Sequence, residues 1–159
     1  MWAVLVALTA STLGPVSIAL IILYPLFDVA AAVVDHRTSR ATRPGPLLVV
    51  NMALSLVTAV GLAVAVTSGV PAVLIVWGVW AVTAGAVQLA VAVTRLPLGG
   101  QWPMILSGGI SVFAGTGFIL MSGGSSASLT GIAGYATLGG VFFLVSAIRL
   151  QRAAKGGTR

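Results

Sequence analysis

Long apolar runs, separated by short breaks rich in glycine, proline, serine or arginine, make up most of this chain. A helix that crosses a bilayer needs about 20 predominantly apolar residues. Their length and apolar composition predict that four of the runs are membrane-spanning α-helices. These runs cover residues 46–67, 72–94, 103–121 and 129–148.

The start of the chain is a further apolar run, over 2–34, which contains Gly14 and Pro15. As one helix it would be about 50 Å long, against a hydrocarbon core of about 30 Å. We therefore predict a fifth clear span over 16–34, preceded by a short or truncated helix over 1–12. The predicted fold class is an all-α, polytopic transmembrane helical bundle.

Arginine occupies every second break between the apolar runs. The breaks at 12–15, 68–71 and 122–128 carry no charge. Loops with an excess of arginine and lysine stay on the cytoplasmic side of a membrane. The alternation predicts a cytoplasmic C-terminus, with 153–159 as a basic tail. The residues that set this topology are Arg37, Arg40, Arg43, Arg95, Arg149 and Arg152.

A shift of 56 residues aligns the later spans with one another. The common register predicts an internal repeat of three helical hairpins, over about 1–40, 46–95 and 103–152. Together they form one transmembrane domain, 1–152. The aligned pairs are Asn51 with Ser107, Ser55 with Ser111, Gly61 with Gly117, Gly78 with Gly134, and Ala84 with Gly140.

The composition is that of a protein whose solvent is lipid. Of the 159 residues, 58% are hydrophobic and 6% are charged, whereas soluble domains carry about 25% charged residues. The mean hydropathy is +1.14. The predicted partner is a lipid bilayer and not a nucleic acid, because the net charge of +6 is spread over separate breaks. One histidine, two acidic residues and no cysteine predict neither a metal site nor a cofactor.

Small residues recur at helical spacing inside the spans. They let helix backbones approach closely in lipid. We expect them to pack helices within the chain, and a face for a second copy is the alternative. The predicted packing residues are Gly78, Gly85, Ser107, Ser111, Gly115, Gly134 and Gly140.

Four polar residues inside the spans form a candidate intramembrane site: Asp28, Asn51, Ser55 and Gln88. Asn51 and Ser55 are four residues apart and therefore share a helix face. Asn51 and Gln88 are expected to hydrogen-bond across helices. The other acid of the chain, Asp35, lies at the membrane boundary, where a solvated or ion-paired carboxylate is ordinary.

Asp28 has two interpretations. An acid within a span costs a few kcal/mol and faces the bundle interior or a water-filled cavity. It is either a structural acid, hydrogen-bonded to Asn51 or to a tyrosine, or the titratable group of a proton or cation pathway. A pathway would bring Asp28, Asn51 and Ser55 to one cavity.

Tryptophans sit toward the ends of predicted spans, at Trp77, Trp80 and Trp102. Tryptophan is enriched where a bilayer meets water. We therefore expect these side chains to lie in interfacial aromatic belts.

Three stretches carry a resemblance to a known family: "WGVWAVTAGAVQLAVAVTR", "SGGISVFAGTGFILMSGG" and "IAGYATLGGVFFLVSAIRLQR". They resemble the HdeD-type family of small bacterial membrane proteins. The resemblance implies six helices in three hairpins, a bacterial inner-membrane location and an association with acid-stress resistance. It brings no catalytic residues.

The function expected from these features is non-enzymatic. The chain lacks a nucleophile and base in a catalytic arrangement. We expect a structural or stress-associated membrane protein that acts through helix packing, either with itself as a homo-oligomer or with other membrane proteins. The alternative is a small proton, cation or solute transporter or channel that uses Asp28.

Overall fold

The computed structural model describes residues 8, 13–38, 46–94, 96–98, 101–124, 127–139 and 141. Its long helices are α1 (Pro15–Thr38), α2 (Pro46–Ala65), α3 (Val70–Thr94) and α4 (Trp102–Ser122). A further helical segment covers residues 130–139. Short 3-10 turns follow α2 at Val66–Ser68 and α3 at Leu96–Leu98. Every element in the described part of the chain is helical, so the all-α prediction is confirmed.

Four helices are long and apolar enough to cross a membrane: Pro15–Val33, Pro46–Ser68, Val70–Thr94 and Trp102–Ser122. Large apolar side chains cover their outer faces, among them Phe27 and Phe113, which are 75% and 84% exposed. Such a surface is unfavourable in water and ordinary in lipid. Both observations fit a multi-pass membrane protein.

The predicted spans over α1 to α4 match the helices to within four residues at either end. Of the predicted span over 129–148, residues 130–139 and 141 are helical, and the other residues from 140 onward lie outside the described part. The predicted short helix over 1–12 is described only at Leu8, which is helical. The full span over 129–148, the short helix over 1–12 and the three-hairpin repeat therefore stay predictions.

Proline and glycine set the helix boundaries. A proline is the first residue of α1 and of α2, and the second residue of α3 and of α4. The first turn of a helix leaves its backbone N–H groups without partners inside the helix, so a residue that lacks this donor fits there. Gly69 links the turn after α2 to α3 with φ of 95°, a backbone conformation that residues with a Cβ rarely adopt.

Consecutive helices pack side by side: α1 on α2, α2 on α3, and α3 on α4. Their shared core also includes the segment 130–139 and the residue before it. Side chains that are 0% exposed in this core are Ile21, Leu62, Val73, Leu74, Trp77, Leu129 and Ile132. The core thus joins all of the long elements.

Backbone contacts between glycines hold α3 and α4 together. Gly78 faces Gly115, and Gly85 faces Gly108. A Cβ built on Gly78 would lie 2.6 Å from the Gly115 carbonyl oxygen, and one on Gly115 would lie 2.6 Å from the Gly78 oxygen. At Gly85 and Gly108 the corresponding distances are 2.7 and 2.9 Å. A side chain at any of these four positions would force the helices to shift, because a backbone carbonyl oxygen lies within 2.9 Å of each built Cβ.

The glycines of this seam are seven residues apart on each helix. Seven residues are the repeat of left-handed helix packing, so both contacts stay on one line along the crossing. Gly78, Gly85 and Gly115 were among the predicted packing residues, and Gly108 was not. Gly134 lies on an exposed face with nothing within 4 Å of a built Cβ, and Gly140 lies outside the described residues.

Alanine substitutions on α4 test the glycine seam. Gly115→Ala adds one Cβ that meets backbone, whereas Gly117→Ala adds a Cβ that meets nothing within 4 Å. We expect Gly115→Ala to lower the free energy of unfolding by about 1–3 kcal/mol, the usual cost of overpacking. Gly117→Ala should be neutral or slightly stabilising, since alanine favours the helix.

The measurement is unfolding by sodium dodecyl sulfate in maltoside micelles, followed by circular dichroism. Equal midpoints for Gly115→Ala and Gly117→Ala would contradict the close approach of α3 and α4.

Candidate intramembrane polar site

The inner face of α1 carries the acid. Ser17, Ile21 and Ala32 are buried on this helix, and Tyr24 and Asp28 lie between them along the same face. Asp28 is 13 residues after the start of α1, about 20 Å along the helix axis at 1.5 Å per residue. The carboxyl group therefore lies well inside the span and is half-buried.

Two donors from α2 meet the same carboxyl oxygen. Asn51 Nδ2 donates to Asp28 Oδ2 at 2.9 Å, and Ser55 Oγ donates to it at 2.8 Å. Asn51 and Ser55 share a face because four residues make about one helical turn. The structure thus brings three of the four candidate polar residues together.

Trp80 extends this contact to a third helix. Its indole Nε1 donates to Ser55 Oγ at 3.0 Å, in a buried position. Ser55 therefore accepts from α3 and donates to α1, and its side chain is 0% exposed. A continuous chain of hydrogen bonds runs from Trp80 through Ser55 to Asp28. We call Asp28, Asn51, Ser55 and Trp80 the polar junction.

The second carboxyl oxygen of the junction is open. Among the described residues, Asp28 Oδ1 has no hydrogen-bond partner and is not among the fully buried atoms. Within the same part of the chain, Asp28 also has no ion pair. Oδ2 therefore accepts both donors, and Oδ1 accepts none from the described residues.

Aromatic rings cover the junction on the side toward the α2–α3 turn. The ring centroids of Tyr24 and Trp77 lie 5.5 Å apart, those of Trp77 and Trp80 5.5 Å, and those of Tyr24 and Trp80 5.8 Å. Tilted and edge-on pairs at this distance are favourable. Trp77 Nε1 is buried without a partner in the described structure, so packing alone holds its ring.

The belt expectation for Trp77 and Trp80 was wrong, because they are 0% and 5% exposed in the core. Trp80 follows ten residues after the start of α3, about 15 Å along the axis. That depth is about half of a 30 Å hydrocarbon core. The distance of Trp80 from the start of its span was therefore the sequence signal that could have placed this side chain at the junction. Trp102, 70% exposed at the start of α4, is compatible with a belt.

A second polar contact repeats part of this pattern. Ser111, which the 56-residue shift aligns with Ser55, is 7% exposed. Its Oγ lies 2.9 Å from Tyr135 Oη and also donates to the Ser107 carbonyl oxygen at 2.9 Å. Each of the two aligned serines therefore bonds to an aromatic side chain of the next helical segment.

The remaining candidates lie apart from the junction. Gln88 is half-buried on α3, eight residues past Trp80 and about 12 Å along the axis. No hydrogen bond joins Gln88 to another described side chain. Ser107 is half-buried and enters the second contact through its backbone carbonyl. The side chains of the topology-determining arginines lie outside the description: Arg37, Arg40, Arg43, Arg95, Arg149 and Arg152.

Two grooves on the outer surface are apolar and distinct from the junction. The larger, about 660 Å³, lies between α4 and the segment 130–139, beside Phe113 and Tyr135. The smaller, about 390 Å³, lies on the other side of Phe113. Neither groove is lined by Asp28, Asn51 or Ser55.

The junction is suited to joining helices. Hydrogen bonds between membrane helices contribute about 0.6 kcal/mol on average and up to about 1.7 kcal/mol. A buried donor that loses its partner costs about 1–3 kcal/mol. In the described part of the chain, no group of three histidine, aspartate or glutamate residues could hold a metal ion.

Comparisons of the chain with family models, with curated proteins and with solved structures find no match.

Ser55→Ala tests the junction. It removes one donor to Asp28 and leaves Trp80 Nε1 without its acceptor. We expect the free energy of unfolding in mixed micelles to fall by about 1–3 kcal/mol.

Thr116→Ala is the matched control, because the Thr116 hydroxyl is exposed and bonds only to the Val112 carbonyl of its own helix. Its effect should stay within about 0.5 kcal/mol. A Ser55→Ala variant as stable as the control would show that the junction does not hold the helices.

Proposed function

We propose that this chain is a non-enzymatic, multi-pass membrane protein whose role depends on stable helix packing, within one copy and with membrane-protein partners or further copies of itself. The observation that carries the proposal is the bonding of Asp28. Its Oδ2 accepts from Asn51 and Ser55 of α2, so the one acid deep in the span joins two helices. This geometry supports the interpretation of Asp28 as a structural acid.

The packing of α3 on α4 supports the same role. Four glycines place the backbones of α3 and α4 in contact. Helices in lipid associate through such close van der Waals packing, because no hydrophobic effect drives them together. Side chains of both helices then complete the core with α1 and α2. A bundle built in this way favours a fixed arrangement over one that opens and closes.

The resemblance to HdeD-type proteins extends the proposal to the membrane in which the protein lies and to the stress conditions under which it acts. On that basis we propose the bacterial inner membrane, a cytoplasmic C-terminus and a role in acid or related stress. The alternation of arginine-bearing and uncharged breaks supports this orientation.

A proton or cation pathway is the second candidate. The open Oδ1 of Asp28 favours it, since this oxygen has neither a hydrogen bond nor an ion pair in the described structure. The polar junction is confined to one level of the bundle, however, whereas pumps and transporters use relays of several groups. Helix packing is therefore the better-supported function.

Flux through proteoliposomes separates the two candidates. We expect wild type and Asp28→Asn to give the same proton and potassium flux as protein-free liposomes, at neutral and at acidic pH. Asparagine keeps the shape and the acceptor oxygen of the side chain, so this variant should remain folded. Flux in wild type that Asp28→Asn abolishes would overturn the packing proposal and support the pathway.

Detergent unfolding of Asp28→Leu tests the structural role of Asp28 directly. The substitution removes the acceptor of two hydrogen bonds and leaves both donors without it. If packing is the role of Asp28, Asp28→Leu should unfold at lower detergent concentration than Asp28→Asn. Equal stability of the two variants would count against a structural acid.

A further inference from the structure

We propose that Asp28 is a proton-binding site: at neutral pH its carboxyl group is a neutral acid, with the proton on Oδ1, and it is open to lipid-soluble carboxyl reagents. The inference goes beyond helix packing, because a structural acid could equally be an ion. It holds whether or not protons move across the membrane.

The arrangement of donors points to the neutral acid. Asn51 Nδ2 and Ser55 Oγ both donate to Oδ2, at 2.9 and 2.8 Å. A carboxylate spreads its charge over two equivalent acceptors, whereas a carboxylic acid has one carbonyl oxygen and one hydroxyl. Two donors on one oxygen and none on the other match a carbonyl at Oδ2 and a hydroxyl at Oδ1.

Within the part of the chain that the structure describes, Asp28 receives hydrogen bonds from Asn51 and Ser55 but no ion pair. On α1, Tyr24 lies one turn away on the same face, and Asp35, the other acid of the chain, follows seven residues later in the sequence. From α2 and α3 the junction receives Asn51, Ser55 and Trp80, which do not titrate. Tyr135 of the segment 130–139 is close enough to interact electrostatically with Asp28. No cationic side chain of the described residues faces it, and an unpaired ion in a span is unfavourable.

A proton fits this site better than a metal cation. Calcium and magnesium bind about six or more oxygen ligands. The junction offers two oxygens without hydrogen bonds in the described structure, Asp28 Oδ1 and Asn51 Oδ1. The hydroxyl of Ser55 is already used as both donor and acceptor. One proton on Oδ1 neutralises the group without further ligands.

Infrared spectroscopy measures this proton directly. A carboxylic acid has a C=O stretch that a carboxylate lacks. The chain has two acidic side chains, so aspartate labelled with ¹³C at the side-chain carboxyl shifts only these bands. The protein is held in maltoside, which has no ester carbonyl. We expect the isotope-shifted acid band at pH 7 in wild type, and its loss when the pH is raised until the carboxyl group ionises.

Asp35→Asn assigns the band. It leaves Asp28 as the only aspartate, so the band should persist in this variant, and Asp28→Asn should abolish it. Wild type and Asp35→Asn answer the question even if Asp28→Asn fails to fold. No isotope-shifted acid band at pH 7 in either protein, or a band that Asp35→Asn removes, would overturn the proposal.

Dicyclohexylcarbodiimide tests access from lipid. The carboxyl oxygen bonds to the central carbon of the reagent, and the carboxyl proton moves to one of its nitrogens. The O-acylisourea then rearranges to a stable N-acylurea, so the protein gains the whole mass of the reagent. We expect one adduct on the peptide that contains Asp28 in folded protein, at a rate at least tenfold lower at the pH where the infrared acid band is lost.

Labelling of Asp35 alone, or labelling of Asp28 at a rate independent of pH, would overturn the proposed neutral and accessible acid. These outcomes are separate from the packing proposal, which is tested by detergent unfolding and by flux. An ionised Asp28 with normal detergent stability and no flux would leave packing intact and remove the proton site.

Discussion

The two hydrogen bonds that Asp28 accepts from α2 are the interaction around which the rest of the bundle is arranged. Lipid offers no partner for a carboxyl group, so the chain has to supply one. Asn51 and Ser55 do so from adjacent turns of one face, and Trp80 then fixes the Ser55 hydroxyl from α3. One acid thereby specifies how α1, α2 and α3 meet, since sliding or rotating any of these helices would break a bond that water cannot replace.

Hydrogen bonds and close backbone packing stabilise different parts of the molecule. The polar junction gives α1 and α2 their alignment, and the rings of Tyr24, Trp77 and Trp80 fill the space beside it. The α3–α4 contact has no such polar centre and depends on close backbone approach at glycine. The two devices meet on α3, where Trp80 lies between the levels of Gly78 and Gly85.

The sequence predicted the spans well because length and apolar composition nearly determine them. It also singled out Asp28, Asn51 and Ser55, since polar residues are rare in the spans and two of them share a helix face. It did not predict the role of Trp80, because tryptophan in a membrane protein lies either at the interface with water or in the buried core. Only the depth of Trp80 in α3 distinguishes these two positions. Gly108 and Gly134 show the same limit: small residues are frequent in these helices, and only the assembled structure shows which of them meet a neighbour.

The glycine seam carries a symmetry of its own. The built Cβ of Gly78 meets the Gly115 carbonyl oxygen, and the built Cβ of Gly115 meets the Gly78 carbonyl oxygen. Gly85 and Gly108 are related in the same reciprocal way. A local two-fold axis therefore passes between α3 and α4, midway between the two glycine pairs and perpendicular to the helices. The contact has the form of an isologous interface between two identical subunits, although both halves belong to one chain. An antiparallel pair of this kind has a single register in which all four glycines meet, and displacement by one residue in either direction would lose every one of these contacts at once.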